Sequence, residues 1–228
     1  DQLLILPPVR DAVKEIISKE SLKLQDSRKK TSENIIPSPI QTVAIKRISK
    51  NLMDPKLQIH AIAAETGSGK TMAYLIPLID YLKRQELETP ELRKNVLIRS
   101  IILVPTHELV DQVYETVSKT KTLLGLNSFK WDKATSYRDL LENIKNRIDI
   151  LVTTPGKLLN LFSIRMITRP DKVLSKVGFV VLDEADTLLD RSWLEETHSA
   201  IKRIPNINHL IFCSATIPQE FNKTMQRL

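Results

Sequence analysis

The chain has 228 residues, with 34 Lys and Arg against 27 Asp and Glu, for a formal net charge of +7. This length fits one α/β domain of the larger kind or two small ones, and buries a real core; the positive balance suits a polyanionic partner, although charge speaks to association and not to fold. A single cysteine, Cys213, excludes an intrachain disulfide framework and any multi-cysteine zinc site and suits a reducing intracellular compartment, and no apolar run approaches the roughly 18 residues of a membrane span.

The chain opens on Asp1 rather than Met, so it reads as a processed product or a fragment, with any targeting peptide upstream. Residues 3–6 read as extended. Pro8 then suits the first turn of a helix whose Val9, Val13, Ile16, Ile17 and Leu24 fall mostly on one face. Residues 25–34 are a polar, basic loop. Residues 35–41 (I-I-P-S-P-I-Q) are rigid and extended before a helix to about Met53, with Ser38 as N-cap and Pro39 at its first position. Gln41 falls in the first turn of that helix, where a lone Gln is ordinarily only solvated.

Residues 57–63 are a short apolar run of strand type. They lead into Ala64, Glu65, Thr66, Gly67, Ser68, Gly69, Lys70 and Thr71 (A-E-T-G-S-G-K-T), and residues 72–82 continue as a helix. Strand, glycine loop, then Lys-Thr opening a helix is the context a phosphate-binding loop needs. Gly67 and Gly69 let the backbone turn its N–H groups toward a polyphosphate. The helix N-terminus adds unpaired donors and a favourable dipole. Lys70 reaches the β- and γ-phosphates in such loops, and Thr71 holds Mg²⁺ through its hydroxyl.

Residues 83–95 are charged, a helix end followed by a loop. Further strands are predicted over 100–104, 127–133, 149–153, 177–182 and 209–213. Helices are predicted over 105–124 and 137–147, after T-P-G-K (154–157) to about 164, over 193–204, and from Pro218 onward; 165–176 is a basic connector. This alternation argues for a mostly parallel sheet with helices on both faces. Ligands gather at the carboxyl ends of strands in such folds, and every polar cluster sits at that kind of position: Gly67 to Thr71, Pro105-Thr106-His107-Glu108, Thr154-Pro155-Gly156-Lys157, Asp183 to Asp186, and Ser214 to Thr216.

The apolar stretch 179–182 delivers Asp183 to the sheet edge, where a carboxylate is the usual second anchor for Mg²⁺. Glu184, next in sequence and pointing elsewhere, is placed to polarise an attacking water as general base. A helix N-terminus also favours acids, but that explains one acid better than three. A positive group on the far side of the γ-phosphate is not clearly supplied. Cys213 and His60 read as core residues, Trp193 as a packing residue, and the basic runs at 28–30 and 165–172 as solvated loops.

Laid out in this order, P-S-P-I-Q, A-E-T-G-S-G-K-T, P-T-H-E-L, T-P-G-K, D-E-A-D and S-A-T resemble the DEAD-box RNA helicases, specifically the first of their two RecA-like lobes. Nearly the whole chain is covered, and within the family it looks closest to a fungal mitochondrial protein of large-ribosomal-subunit assembly. The resemblance implies an α/β, RecA-like P-loop NTPase domain over residues 35–228, a flanking segment over 1–34 and a second RecA-like lobe outside this chain. It implies ATP and Mg²⁺ as cofactors, with Gln41 reading adenine, Lys70, Asp183 and Glu184 catalytic, and Thr71 and Asp183 on the metal. Asp186, Ser214 and Thr216 would couple nucleotide state to lobe closure. Pro105, Thr106, His107, Glu108, Thr154, Pro155, Gly156 and Lys157 would hold single-stranded RNA by its backbone, without reading sequence. The implied partners are RNA, namely ribosomal RNA within an assembly particle, and no membrane; the implied location is the mitochondrial matrix.

The sequence departs from the family at His107 and Lys157, where Arg is usual, and at Lys133-Ala134, where a Gly-Gly turn is usual. An adenine-stacking aromatic upstream of the Gln falls near Leu24. Histidine is mostly neutral at pH 7 and lysine lacks the bidentate fork, so RNA contact in this lobe reads as weakened or retuned. The isolated lobe is expected to bind nucleotide weakly and hardly turn it over. Two other classes compete: a P-loop ATPase acting on DNA or protein, disfavoured by Gln41 together with S-A-T, and an RNA scaffold or clamp with little turnover, disfavoured by intact Lys70, Asp183 and Glu184.

Overall fold

The computed structural model describes residues 5–24, 39–63, 69–92, 98–165, 167 and 169–215. The predicted loop at 25–34, the N-cap Ser38, the glycine-loop residues Ala64, Glu65, Thr66, Gly67 and Ser68, Thr216 and the helix from Pro218 lie outside the described residues, as does the side chain of Leu24.

Among the described residues, six strands form one sheet: β1 (Gln58–Ala63), β2 (Ser100–Leu103), β3 (Ser128–Trp131), β4 (Ile150–Thr153), β5 (Phe179–Asp183) and β6 (His209–Ser214). Their order is β1-β6-β5-β2-β4-β3, and every pair is parallel. The expected parallel α/β architecture is thus present. Successive strand residues point to opposite faces, and both faces are covered. Ile102, Val181 and Ile211 enter one core; Ile101, Leu103, Val180, Leu182, Leu210 and Phe212 enter the other. Burial on both sides is why these strands read as continuous apolar runs.

Helices α1 (Pro7–Leu24), α2 (Pro39–Ser49), α3 (Lys70–Glu88) and α4 (His107–Leu124) pack on the first face. The second carries α5 (Tyr137–Lys145), α6 (Pro155–Asn160), α7 (Pro170–Val173), α8 (Ala185–Leu188) and α9 (Leu194–Lys202). On α1 the buried residues are Val9, Ala12, Val13 and Ile16, in the same core as α3, and the Leu6 N–H donates to Asp80 Oδ1 at 2.9 Å. The segment preceding Gln41 therefore contributes to the core.

Helix α3 runs to Glu88, within the charged stretch read as a helix end, and Arg84–Asp80 and Lys83–Glu86 ion pairs tie its last turns down. Other bounds differ from the sequence reading. The helix predicted to follow T-P-G-K to about 164 begins earlier, at Pro155, as α6 and passes into a 3-10 turn, Leu161–Ser163, and the basic connector contains α7, opened by Pro170. At the amino ends of the strands Arg99, 2% exposed, pairs with Glu86 and Asp149 at 3.0 Å each. Its guanidinium also donates to the Leu82 carbonyl at 2.8 Å. This buried pairing locks α3 against β2 and β4, and so fixes where the other end of α3 points.

Trp131 and Cys213 are fully buried. His60, expected to be a satisfied core residue, is only partly buried on the edge strand β1. Its ring stacks on that of His209, centroids 6.4 Å apart, and its Nε2 has no hydrogen-bond partner among the described residues. Burial lowers the pKa of both histidines; for His60, the His209 and Arg47 charges add to it.

Candidate functional site

Parallel pairing sends every strand's carboxyl end to one edge of the sheet, and the register decides which motifs become neighbours. Ala63, last before the glycine loop, pairs with Ser214, and Asp183 with Cys213. The loop, S-A-T and D-E-A-D strands are therefore consecutive, β1-β6-β5. Strands β2 and β4, which lead into Pro105 and Thr154, lie together beyond them.

At the first group, Gly69 takes a left-handed conformation (φ 80°, ψ 25°) that favours glycine. It is the N-cap of α3, and among the described residues no side chain caps this helix. The first N–H groups of a 19-residue helix are thereby directed to the strand ends. Lys70 Nζ lies 2.6 Å from Glu184 Oε1 and 3.3 Å from Asp183 Oδ1. Burial alone would lower the Lys70 pKa; Asp183 and Glu184 outweigh it and hold the ammonium above its ordinary value. Glu184, expected to point away from Asp183, converges with it on Lys70. The reason is its backbone: Glu184 is left-handed (φ 55°), uncommon for a non-glycine residue, which breaks the strand alternation after Asp183.

The carboxylate of Asp183 is fixed at both oxygens. Oδ1 accepts the Glu184 N–H at 2.9 Å, and Oδ2 accepts the hydroxyl of Tyr74 at 2.7 Å. Tyr74 is fully buried, and burial, then the charge of Asp183, pushes its pKa well up. Tyr74 escaped the sequence reading, yet it lies one turn after Thr71 on α3, a spacing that puts both on one face. Gln41, expected as a solvated residue on residue type alone, is buried, and its Nε2 donates to the Gly69 carbonyl at 3.2 Å. Burial also raises the thiol of Cys213, the nearby Asp183 adding to it. Ser214 is buried and Asp186 partly so.

These residues fit a Mg²⁺–nucleotide pair. A constrained carboxylate, a hydroxyl at Thr71, a helix start without a side-chain cap among the described residues and a lysine whose tip meets two carboxylates form one contiguous set.

At the second group the two strand ends are built alike. Thr106 caps α4 by accepting the Leu109 N–H, and Thr154 caps α6 by accepting the Lys157 N–H, each at 3.3 Å. Between them opens a cavity of about 680 Å³ that brings together Pro105, Thr106, His107, Thr154, Gly156 and Lys157. Glu108, exposed in the first turn of α4, and the buried Pro155 do not line it. Burial, then Lys133 and Lys157, lowers the His107 pKa, so this imidazole is neutral at pH 7. Its Nδ1 has no partner among the described residues. The cavity also takes in Lys133, Asn160, Trp193 and Glu196. Of these the sequence singled out only Lys133 as facing this region; the others arrive from tertiary packing of α6 on α9.

The DEAD/DEAH box helicase family profile matches residues 38–224. The chain is 98% identical over 232 aligned positions to an ATP-dependent RNA helicase MRH4, mitochondrial, of Saccharomyces cerevisiae (strain S288c), covering 100% of this chain and 41% of that protein. It is 63% identical to the protein of the same name from Vanderwaltozyma polyspora, over 100% of this chain and 42% of that one. The chain spans about two-fifths of the length of these curated relatives. Among solved structures, the RNA helicase Prp28 from Chaetomium thermophilum bound to ADP is similar with a TM-score of 0.68 and 27% identity, over 95% of this chain and 46% of that one. The DEAD-box helicase Mss116 bound to ssRNA and UDP-BeF shares the fold, with a TM-score of 0.72 at 24% identity over 98% of this chain and 41% of that one. The motif order, the parallel sheet that gathers the motifs at one edge and the family match agree: the chain belongs to the DEAD/DEAH box helicase family.

Proposed function

We propose that this chain is the ATP-binding lobe of an ATP-dependent RNA helicase, and that residues 35–228 form its RecA-like domain while a second lobe completes the active site. One observation carries this reading: Lys70, Asp183, Glu184 and Tyr74 interlock at the carboxyl end of β5, against the start of α3.

Lys70 would turn from Glu184 to the β- and γ-phosphates, since a polyphosphate is the stronger anion. That exchange frees the Glu184 carboxylate to accept a proton from water. Thr71 and Asp183 would hold Mg²⁺, with Tyr74 keeping the Asp183 carboxylate aimed. When bound, Mg²⁺ would supply positive charge to offset what builds on the phosphates. Gln41 would read adenine through its paired amide donor and acceptor. The N–H groups of Gly67, Ser68 and Gly69 would cradle phosphates, within the loop Ala64, Glu65 and Thr66 begin. Asp186, Ser214 and Thr216 would carry the nucleotide state to the second lobe. Single-stranded RNA would lie along Pro105 to Glu108 and Thr154 to Lys157.

The names of the relatives support a mitochondrial location. The motif resemblance supports ribosomal RNA of the large subunit, inside an assembly particle, as the substrate. A second reading, an RNA clamp with little turnover, draws support from the neutral His107 on the RNA side. The deciding experiment is ATP turnover by the full-length protein, with and without RNA, beside Glu184→Gln. RNA-stimulated turnover that the variant loses supports the helicase reading. RNA binding with no turnover in either form supports the clamp.

A further inference from the structure

Away from the strand ends that carry the motifs, six exposed cations gather with almost no acid among them. Arg165, Arg169, Lys172 and Lys176 come from the basic connector, and Lys202 and Arg203 from the carboxyl end of α9. Residues 161–176 and 202–208 contain one acid, Asp171, which pairs with Arg169 at 3.6 Å. None of the other five has a carboxylate partner among the described residues.

Packing brings the two stretches together. Ile164, Ile167, Val173 and Leu174 share one apolar core with Ile201, Ile204 and Ile207. Asn206 Nδ2 donates to the Ser175 carbonyl at 2.8 Å, and the Arg203 guanidinium lies 4.6 Å from the centroid of the Phe162 ring. With the apolar side chains turned inward, the cations face water. Exposed cations elsewhere meet carboxylates, as Lys130 meets Asp111 and Arg138 meets Glu142. A helix C-terminus favours a cation, which accounts for Lys202 but not for the group. Clustered like charges repel one another and cost stability, so the patch suits an anion from outside the chain.

Its place in the fold separates it from both site groups. The connector leads into the amino end of β5, and α9 into that of β6. The Asn208 N–H donates to the Gly178 carbonyl there, at 2.8 Å. The motif residues sit at the carboxyl ends, a strand length of about 16 Å away. Among the described residues the patch exposes no large apolar side chain that could insert into a membrane. Its one aromatic, Phe162, lies under Arg203 and is not offered to an unpaired base. Phosphates along a double helix need neither feature, since duplex RNA is held by shape and backbone.

Extending the RNA-binding reading to a second surface, we infer that this patch holds the phosphate backbone of double-helical RNA. The lobe then grips a structured RNA at the amino edge of its sheet while the carboxyl edge takes a single strand.

The test is fluorescence anisotropy of the full-length protein over a salt series. The probes are a blunt RNA duplex of about 16 base pairs and an all-uridine single strand with a non-hydrolysable ATP analogue. Lys172→Glu with Lys202→Glu is compared with Lys121→Glu with Lys145→Glu, which makes the same change of net charge at other exposed positions. The patch variant is expected to lose about tenfold or more in duplex affinity, with a salt slope shallower by about two, and to keep its single-strand affinity. Unchanged duplex affinity, an equal loss in the control pair or an equal loss for the single strand overturns the surface. A patch variant that keeps duplex affinity but loses binding to anionic phospholipid vesicles assigns the patch to lipid and overturns it too. A wild type that binds the duplex and not the single strand overturns the cleft reading and leaves this surface standing.

Discussion

The two halves of the sheet edge are built on opposite plans. On the β1-β6-β5 side, Lys70, Asp183, Glu184 and Tyr74 satisfy one another inside a mostly buried set, and each carboxylate oxygen of Asp183 has a named donor. On the β2-β4 side, two helices start with matching Thr caps, but they frame an open cavity lined by Glu196 and by His107, whose Nδ1 has no partner among the described residues. The first plan is pre-organised for a ligand with fixed geometry. Its electrostatics are strong because water is largely excluded. The second leaves charged groups near water, where each is weaker and exchangeable, as suits a flexible polyanion. Changes on the nucleotide side should therefore be severe, and changes on the RNA side graded.

The sharpest way to break that contrast is Glu184→Gln in the full-length protein. Turnover is expected to fall by about a hundredfold or more, the scale of a lost general base, while equilibrium dialysis should still find nucleotide binding. A variant that retains most of its turnover would remove Glu184 from the chemistry. Tyr74→Phe comes next. It deletes one buried hydrogen bond to a charged group, a change worth about 1.5–3 kcal/mol. The Mg²⁺ concentration at half-maximal binding of a fluorescent nucleotide should rise about tenfold, with Mg²⁺-free binding little altered. An unchanged Mg²⁺ requirement would mean that Asp183 is aimed without it.

On the RNA side the expected effect is smaller. His107→Arg adds one permanent charge at the cavity, so RNA affinity should rise severalfold and the salt dependence should steepen by about one phosphate. Wild-type affinity should also rise as pH falls below the ordinary histidine value of about 6.5, because the lowered pKa delays protonation of His107; the Arg variant should lose that rise. A salt slope identical in both would place His107 away from phosphate. The smallest effect concerns the fold itself. His60 and His209 have folded pKa values below the unfolded one, so the unfolded chain binds more protons once pH drops under about 6.5. Stability is whole above that pH and declines as pH falls through the lowered values. The urea midpoint should fall between about pH 7.5 and 5.5, and His60→Gln should shrink the fall.

The sequence by itself determined the fold class and the nucleotide motifs. Apolar runs such as Phe179 to Leu182 need burial on both faces, and only a parallel sheet between helices provides it. The glycine loop with Lys70-Thr71 and the D-E-A-D acids carry their chemistry in local spacing, so they are legible without coordinates. Strand order and register were not: that Ser214 meets Ala63, and Asp183 meets Cys213, depends on contacts far apart in the chain. The turn of Glu184 onto Lys70 follows from a left-handed backbone that residue type does not announce. Tyr74, Trp193 and Glu196 were silent for the same reason. A tyrosine on a helix or a glutamate in a first turn is ordinary until packing of α3 under β5, and of α9 against α6, brings it to a site. Local chemistry is written in short spacings; which groups share a cavity is decided by the packing of distant elements, because burial acts on whatever surfaces the topology brings together.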